Sequence, residues 1–248
     1  MKARVLNIGG AGALALAVAL GLASASTRAM AAEPAVPEPL WEINLDTTYA
    51  RSGDGHAVEA PAAEVFHRVG PRLELTASTA WTVSRPRGGA RQSGPASGVL
   101  GFKWLLADDG RDATVVLWPQ LERRLNNASV RRGLASPNRV LALPLEAKFT
   151  VGAVAVELYG GPSFIENEDD QWNLRVKLAR ACLPRADCTL ELERNHTPGV
   201  TGQTLMLAGA EWRLNEVLAL KTAAGRGFGA ATGERVGFAL LLGIKAIY

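Results

Sequence analysis

Acids and bases recur at alternate positions through the second half of this 248-residue sequence. Glu157, Arg175, Lys177, Glu191, Glu193, Glu211 and Arg213 sit in short segments where polar residues alternate with apolar ones. Arg175 and Lys177 fall in a segment between one carrying Glu157 and one carrying Glu191 and Glu193. Side by side as strands, such segments offer cross-strand ion pairing.

Covalent chemistry is poorly supplied. Of the histidines, His196 in Asn195-His196-Thr197 has a hydroxyl beside it, but no acid stands at a recognisable spacing to orient the imidazole. His56 and His67 have less around them. Glu166, Glu168, Asp169 and Asp170 offer carboxylates to a cation, at spacings that match no tight calcium loop. Gly225-x-Gly227-x-Gly229 follows a strand but opens no helix, so it reads as loop flexibility rather than a phosphate cradle. No catalytic residue, metal ligand or cofactor is assigned. Cys182 and Cys188 flank the Pro-containing turn Leu183-Pro184-Arg185-Ala186-Asp187, and in an exported chain this even pair predicts a disulfide.

The elements that position these charges are strands. In Arg235 to Tyr248, Val236, Phe238, Leu240, Leu242, Ile244, Ala246 and Tyr248 share one face, while Arg235, Gly237, Ala239, Leu241, Gly243, Lys245 and Ile247 share the other. Period two makes this a strand. Its greasy face would invite aggregation on an open soluble edge, so it must be covered, closed or embedded in lipid. The same alternation recurs at Trp41 to Tyr49, Ala62 to Val69, Arg72 to Val83, Leu100 to Leu106, Ala113 to Glu122, Leu141 to Phe149, Val154 to Tyr159, Trp172 to Ala179, Leu190 to Glu193, Met206 to Arg213 and Leu218 to Thr222. Pro119 is awkward within a sheet, because it cannot donate to the ladder, and predicts a bulge.

These segments predict an all-β fold: an antiparallel up-and-down transmembrane β-barrel of about twelve strands. Connections near Gly70, Asp109, Gly152, Pro184 and Asn215 read as short. Those around Gly53, Gly88, Asn127, Glu168, His196 and Gly229 read as longer, the asymmetry of short periplasmic turns and long external loops. With that orientation Trp41, Trp104, Phe149, Trp212 and Tyr248 fall at periplasmic strand ends, and Tyr49, Trp81, Phe164 and Trp172 at external ends. Two aromatic girdles follow, which a soluble β-sandwich has no reason to build.

The N-terminus sets the compartment. Lys2 and Arg4 precede an apolar run from Ala11 to Ala23, and Ala29-Met30-Ala31 supplies small residues for cleavage, the three regions of a secretory signal peptide. The run is too short to span a bilayer as a helix. The expected domains are a signal peptide, 1–31, and a barrel, 32–248, in a bacterial outer membrane. Removing Lys2, Arg4 and Arg28 lowers the basic count from 27 to 24, equal to the 24 acids. The mature chain is therefore neutral, with no electrostatic footprint for nucleic acid.

The lumen face holds two alternatives. In one, acidic and basic walls orient polar solutes in a water-filled pore; in the other, neutralising pairs fill the barrel, for which twelve strands is an intermediate size. Arg85, Arg87 and Arg91 in one loop, and Arg123, Arg124, Arg131 and Arg132 in another, suit phosphates of outer-leaflet lipopolysaccharide. The expected partners are outer-membrane lipid and lipopolysaccharide, a small-molecule solute, and the assembly machinery, which would read the last strand.

The stretches Glu64-Val-Phe-His-Arg-Val-Gly-Pro-Arg-Leu-Glu-Leu, Gly98-Val-Leu-Gly-Phe-Lys-Trp-Leu-Leu and Leu207-Ala-Gly-Ala-Glu-Trp-Arg-Leu-Asn resemble the family of outer-membrane transporters associated with the meta-pathway of phenol degradation. The resemblance spans nearly the whole mature chain. It implies a monomeric barrel passing small, often aromatic, molecules, and offers no assigned catalytic residues to carry over. The Arg-rich insertion after Glu122 departs from the proline-containing stretch expected there. The expectation is thus a passive channel or transporter, with a non-conducting structural or lipid-modifying barrel as the alternative.

Overall fold

The computed structural model describes residues 40–110, 113–199, 202–229 and 235–248. The expected signal peptide lies outside them. Fourteen strand segments join in one antiparallel sheet: β1 (Trp41–Ser52), β2 (Gly55–Gly70), β3 (Leu73–Pro86), β4 (Gln92–Asp108), β5 (Thr114–Leu117), β6 (Gln120–Arg124), β7 (Val140–Ala142), β8 (Leu145–Val151), β9 (Val154–Ile165), β10 (Gln171–Leu183), β11 (Ala186–His196), β12 (Gln203–Arg213), β13 (Leu218–Phe228) and β14 (Val236–Ile247). β5 with β6, and β7 with β8, are halves of single barrel strands, so twelve strands circle the barrel. β1 pairs with β14 from Glu42↔Ile247 to Ser52↔Val236, which closes the sheet and abolishes its edges. At this seam Trp41 and Tyr248 exchange backbone hydrogen bonds of 3.0 and 2.9 Å.

Proline explains the two interruptions. Pro119 and Pro144 have no N–H to give a ladder, so the strands that hold them lapse at the same height. The expected bulge at Pro119 is not what forms. Gly101 pairs with Gln120 on one side of the gap and Trp104 with Leu117 on the other, so the register runs straight through. The Pro119 carbonyl still accepts from Phe102 N at 3.1 Å, and Trp118 N donates to the Pro144 carbonyl at 2.9 Å.

The two faces sort as alternation requires. Leu45, Leu75, Leu100, Phe102, Leu190, Leu240, Leu242 and Ile244 are exposed on the outer face. A continuous apolar belt of this kind is what a bilayer covers. Trp41, Trp104 and Tyr248 border it at the end with the tight turns, and Trp81, Phe164 and Trp172 at the other. Trp41 also stacks on His67, ring centroids 3.9 Å apart.

Val236 departs from its expected place on the lipid face. The register slips between Arg51 and Ser52, leaving Gly237 as the extra residue of a bulge, and Val236 turns inward. It is 1 % exposed and packs with Ala50, Leu205, Leu207 and Ala239 as an apolar patch on the inner wall.

The connections alternate in length with two exceptions. The link between Asp108 and Thr114, expected to be short, spans as many residues as those after Pro86 and Ile165. The link around Gly53, expected to be long, is a tight hairpin between Ser52 and Gly55, because the polar stretch beyond it extends β2. Turn polarity had masked a strand that projects past the apolar belt. The longest connection, 125–139, carries helix α1 (Asn127–Arg131), capped by Asn126 Oδ1 accepting from Ala128 N at 2.7 Å. This loop folds back against the inner face of β4 rather than standing free. Ser129 and Leu134 are fully buried there. A Cβ on Gly94 would lie 2.8 Å from Ser129 Oγ and 3.3 Å from Leu134 Cδ1, so glycine permits the close approach. The turn from Leu183 to Ala186 is clamped by the expected Cys182–Cys188 disulfide.

Candidate functional site in the barrel lumen

Alternation delivers one side chain in two to the lumen, and the antiparallel register decides which charges meet. Arg175 stands opposite Tyr159 on β9 and Glu193 on β11, while Lys177 stands opposite Glu157 and Glu191. The contact that forms is diagonal: Arg175 donates to Glu157 Oε1 at 3.0 Å. Glu157 also lies 3.8 Å from Lys148 Nζ, Lys148 reaches Glu146 Oε1 at 2.9 Å, and Glu146 Oε2 lies 3.4 Å from Lys103 Nζ. Cation and carboxylate thus alternate along a chain from β4 to β10.

Aromatic rings line this chain. Lys103 Nζ sits 4.2 Å from the ring centroid of Trp118 and 4.8 Å from that of Phe66. Such contacts attract the ammonium to the π face. Trp118 meets Tyr159 edge-on at 5.7 Å, and the Arg175 guanidinium carbon lies 4.7 Å from the Tyr159 centroid. Polar ends are satisfied: Trp118 Nε1 donates to Thr76 Oγ1 at 3.1 Å and Gln120 Nε2 donates to Tyr159 Oη at 3.2 Å.

A second cluster lies at the seam. Lys221 Nζ contacts Asp46 Oδ1 and Asn44 Oδ1, each at 2.9 Å, and Lys245 Nζ contacts Glu42 Oε2 at 3.0 Å. Both clusters mix signs, so at these two places cation and carboxylate are interleaved as in the alternative of neutralising pairs, rather than sorted into an acidic and a basic wall. Water still reaches these groups. The side chain of Lys148 is 50 % exposed even though that of its partner Glu146 is only 4 % exposed.

The sequence-predicted charges divide three ways. Glu157 and Arg175 join the first network, while Lys177, Glu191 and Glu193 flank it by register. Glu211 stands opposite Lys221 beside the seam cluster. Arg213 belongs to the rim with the short turns, exposed and 2.9 Å from Asp187 Oδ2. Phe66, Trp118 and Tyr159 lie far apart in the sequence, and only Trp118 and Tyr159 are marked there, by falling on the polar phase of their strands. An aromatic out of phase with its apolar neighbours was the available signal.

The other candidates do not assemble. His196 ends β11 on the outer face opposite Trp172, exposed. In the acidic loop Glu166 Oε2 accepts from Arg139 N at 3.3 Å and Glu168 Oε1 from Asn138 Nδ2 at 2.9 Å, so these carboxylates brace the neighbouring loop instead of converging on a cation.

A closed barrel with an apolar belt and a charged, hydrated interior defines the outer-membrane β-barrel class. Solved structures share this fold. An outer-membrane channel from Pseudomonas putida F1 aligns with TM-score 0.69 at 13% identity, covering 86% of this chain and 97% of that one. The KdgM porin aligns at 0.57 with 12% identity, and the NanC porin at 0.56 with 5%; each alignment covers 83% of this chain and 99% of the other. No family model matches the chain, and no curated protein matches it in sequence. The likeness therefore carries the barrel architecture and leaves the resemblance to the phenol-degradation family without support of its own.

Proposed function

We propose that this chain is a passive channel for small molecules in a bacterial outer membrane, exported through segment 1–31 and matured to 32–248. The observation that carries the reading is the lumen: charges paired with one another yet reached by water, inside a wall whose outer surface is apolar. An interior serving only stability would gain more from dry apolar packing than from ionised pairs. The barrel likeness to porins and a channel agrees with it. By that orientation the tight turns are periplasmic and the 125–139 loop narrows the external mouth. The family resemblance supports small aromatic molecules among the solutes, and rings at Phe66, Trp118 and Tyr159 give them surfaces to slide along. β14 is the strand offered to the assembly machinery.

Single-channel recording of the refolded mature protein in a planar bilayer tests the proposal. Stepwise ohmic currents are expected. A folded barrel that stays silent would overturn the channel reading in favour of a structural or lipid-modifying barrel.

A further inference from the structure

The arginines of the long loops do not act alike. Arg132 is committed to the tucked helix, its Nε donating to Ala128 O at 3.1 Å. Arg123 instead follows Leu121 by two residues on β6, and Arg139, just before β7, precedes Leu141 by two and prolongs the pairing with β9, its carbonyl accepting from Glu166 N at 2.9 Å. In a strand such pairs share a face and stand about 7 Å apart along the barrel wall. Leu121, Leu141 and the cross-strand neighbour Phe164 are exposed members of the apolar belt. Arg123 and Arg139 therefore stand on the lipid side, just above the hydrocarbon edge.

They line one cleft of about 330 Å³, together with Arg124, Asn138 and Glu166. Its floor is fixed from several directions: Arg124 donates to the Pro137 carbonyl at 2.5 Å and Asn138 to Glu168 at 2.9 Å. The binding groups are nevertheless available. Arg139 Nε is 3.9 Å from Glu166, a loose and exposed pair, and among the described residues the Arg123 side chain has no ion-pair or hydrogen-bond partner, its backbone alone pairing with Gly98. Two planar guanidiniums with donors to spare match a phosphate's oxygens.

We infer that the Arg123–Arg139 cleft binds a phosphate on the headgroup of an outer-leaflet glycolipid, anchoring the barrel at one azimuth. The inference rests on the orientation given above, which makes this rim external. A soluble phosphate shares the chemistry, but the cleft opens beside the apolar belt, where acyl chains would lie.

Native mass spectrometry of the folded, detergent-solubilised barrel tests it with bisphosphorylated lipid A, dephosphorylated lipid A and inorganic phosphate as probes. The expected result is retention of bisphosphorylated lipid A that falls about tenfold in Arg123→Gln/Arg139→Gln. It should hold in Arg85→Gln/Arg87→Gln and rise in Glu166→Gln, which removes the competing carboxylate. Equal retention by the double variant and wild type, or of both lipid forms, overturns the inference. Displacement of the lipid by millimolar inorganic phosphate reassigns the cleft to a soluble anion and also overturns it. Folding of each variant is read by heat-dependent gel mobility. Conductance of the double variant, expected to match wild type, reads the channel assignment separately.

Discussion

Asp46 and Lys221 meet across a strand that lies between them. Both pair with Gly243 of β14, Asp46 from β1 and Lys221 from β13, and the missing side chain lets carboxylate and ammonium close to 2.9 Å over the backbone. A Cβ at Gly243 would collide with Asp46 Oδ1 and come within 3.2 Å of Lys221 Cε. The bridge ties β13 to β1 over the very strand that completes the barrel. Gly243→Val should part the pair and overpack the seam, costing about 1–3 kcal/mol. A lower midpoint for heat-dependent loss of the folded gel band checks this, with Gly243→Ala intermediate. An unchanged midpoint for the valine variant would remove the seam from the account.

Trp118 stands on the inner wall at the proline break, buried against Phe66 and Tyr159, where a smaller side chain would leave space in the lumen. Trp118→Ala should raise single-channel conductance while costing about 3 kcal/mol of stability through lost packing on Phe66 and Tyr159. Trp118→Phe keeps most of the ring and should leave conductance near that of the wild type. If alanine and phenylalanine variants conduct alike, the constriction lies elsewhere.

Strand identity was legible because period two is written directly in residues such as Leu240, Leu242 and Ile244. The strand count held because Pro119 and Pro144 interrupt hydrogen bonding without shifting register, so Leu141 and Leu145 remain in phase. What failed was whatever depends on a bulge or on a tertiary fold. Gly237 reverses the phase of Val236, and one inserted residue carries no mark in an apolar run. The polar start of β2 read as loop because it lies beyond the lipid belt, where alternation has no solvent difference to enforce it. Pairing partners were legible only to the strand. Arg175 faces Glu193 by register but bonds diagonally to Glu157, a choice made by side-chain reach. The inward fold of 125–139 was hidden by its arginines, and its scattered apolar residues, such as Leu125, Val130 and Leu134-Ala135, show no period that marks which of them is buried.

Glu146 holds two cations, Lys103 at 3.4 Å and Lys148 at 2.9 Å. Glu146→Gln leaves both without that carboxylate and adds a positive charge to the lumen wall, so ion selectivity should move toward anions. Reversal potentials in a salt gradient measure it. Breaking a buried pair from one side costs about 3 kcal/mol in dry surroundings, and less here because Lys148 is half in water. A selectivity that does not move would mean that permeating ions pass out of range of this network.

The Cys182–Cys188 bridge closes a loop with a sequence separation of 6, so its chain-entropy contribution is about 2 kcal/mol. It clamps a turn whose ladder is already formed on both sides, by Arg180↔Cys188 and Ala186↔Trp212. Cys182→Ser/Cys188→Ser should therefore lower the heat midpoint modestly and leave conductance unchanged.

Gly94 offers the sharpest test of the tucked loop. Gly94→Val places a branched side chain where Ser129 and Leu134 now pack, so the loop should leave that seat. Its release should widen the mouth and free the backbone at Arg131 and Arg132, whose side chains are already exposed on and beside α1, to enter a protease. Two independent readings should then move together: a higher single-channel conductance, and faster trypsin cleavage within 125–139 while the barrel resists. Faster cleavage at unchanged conductance would show that the loop covers the mouth without narrowing it. With neither change, β4 and the loop must yield together around the new side chain, and the loop would then be part of the wall.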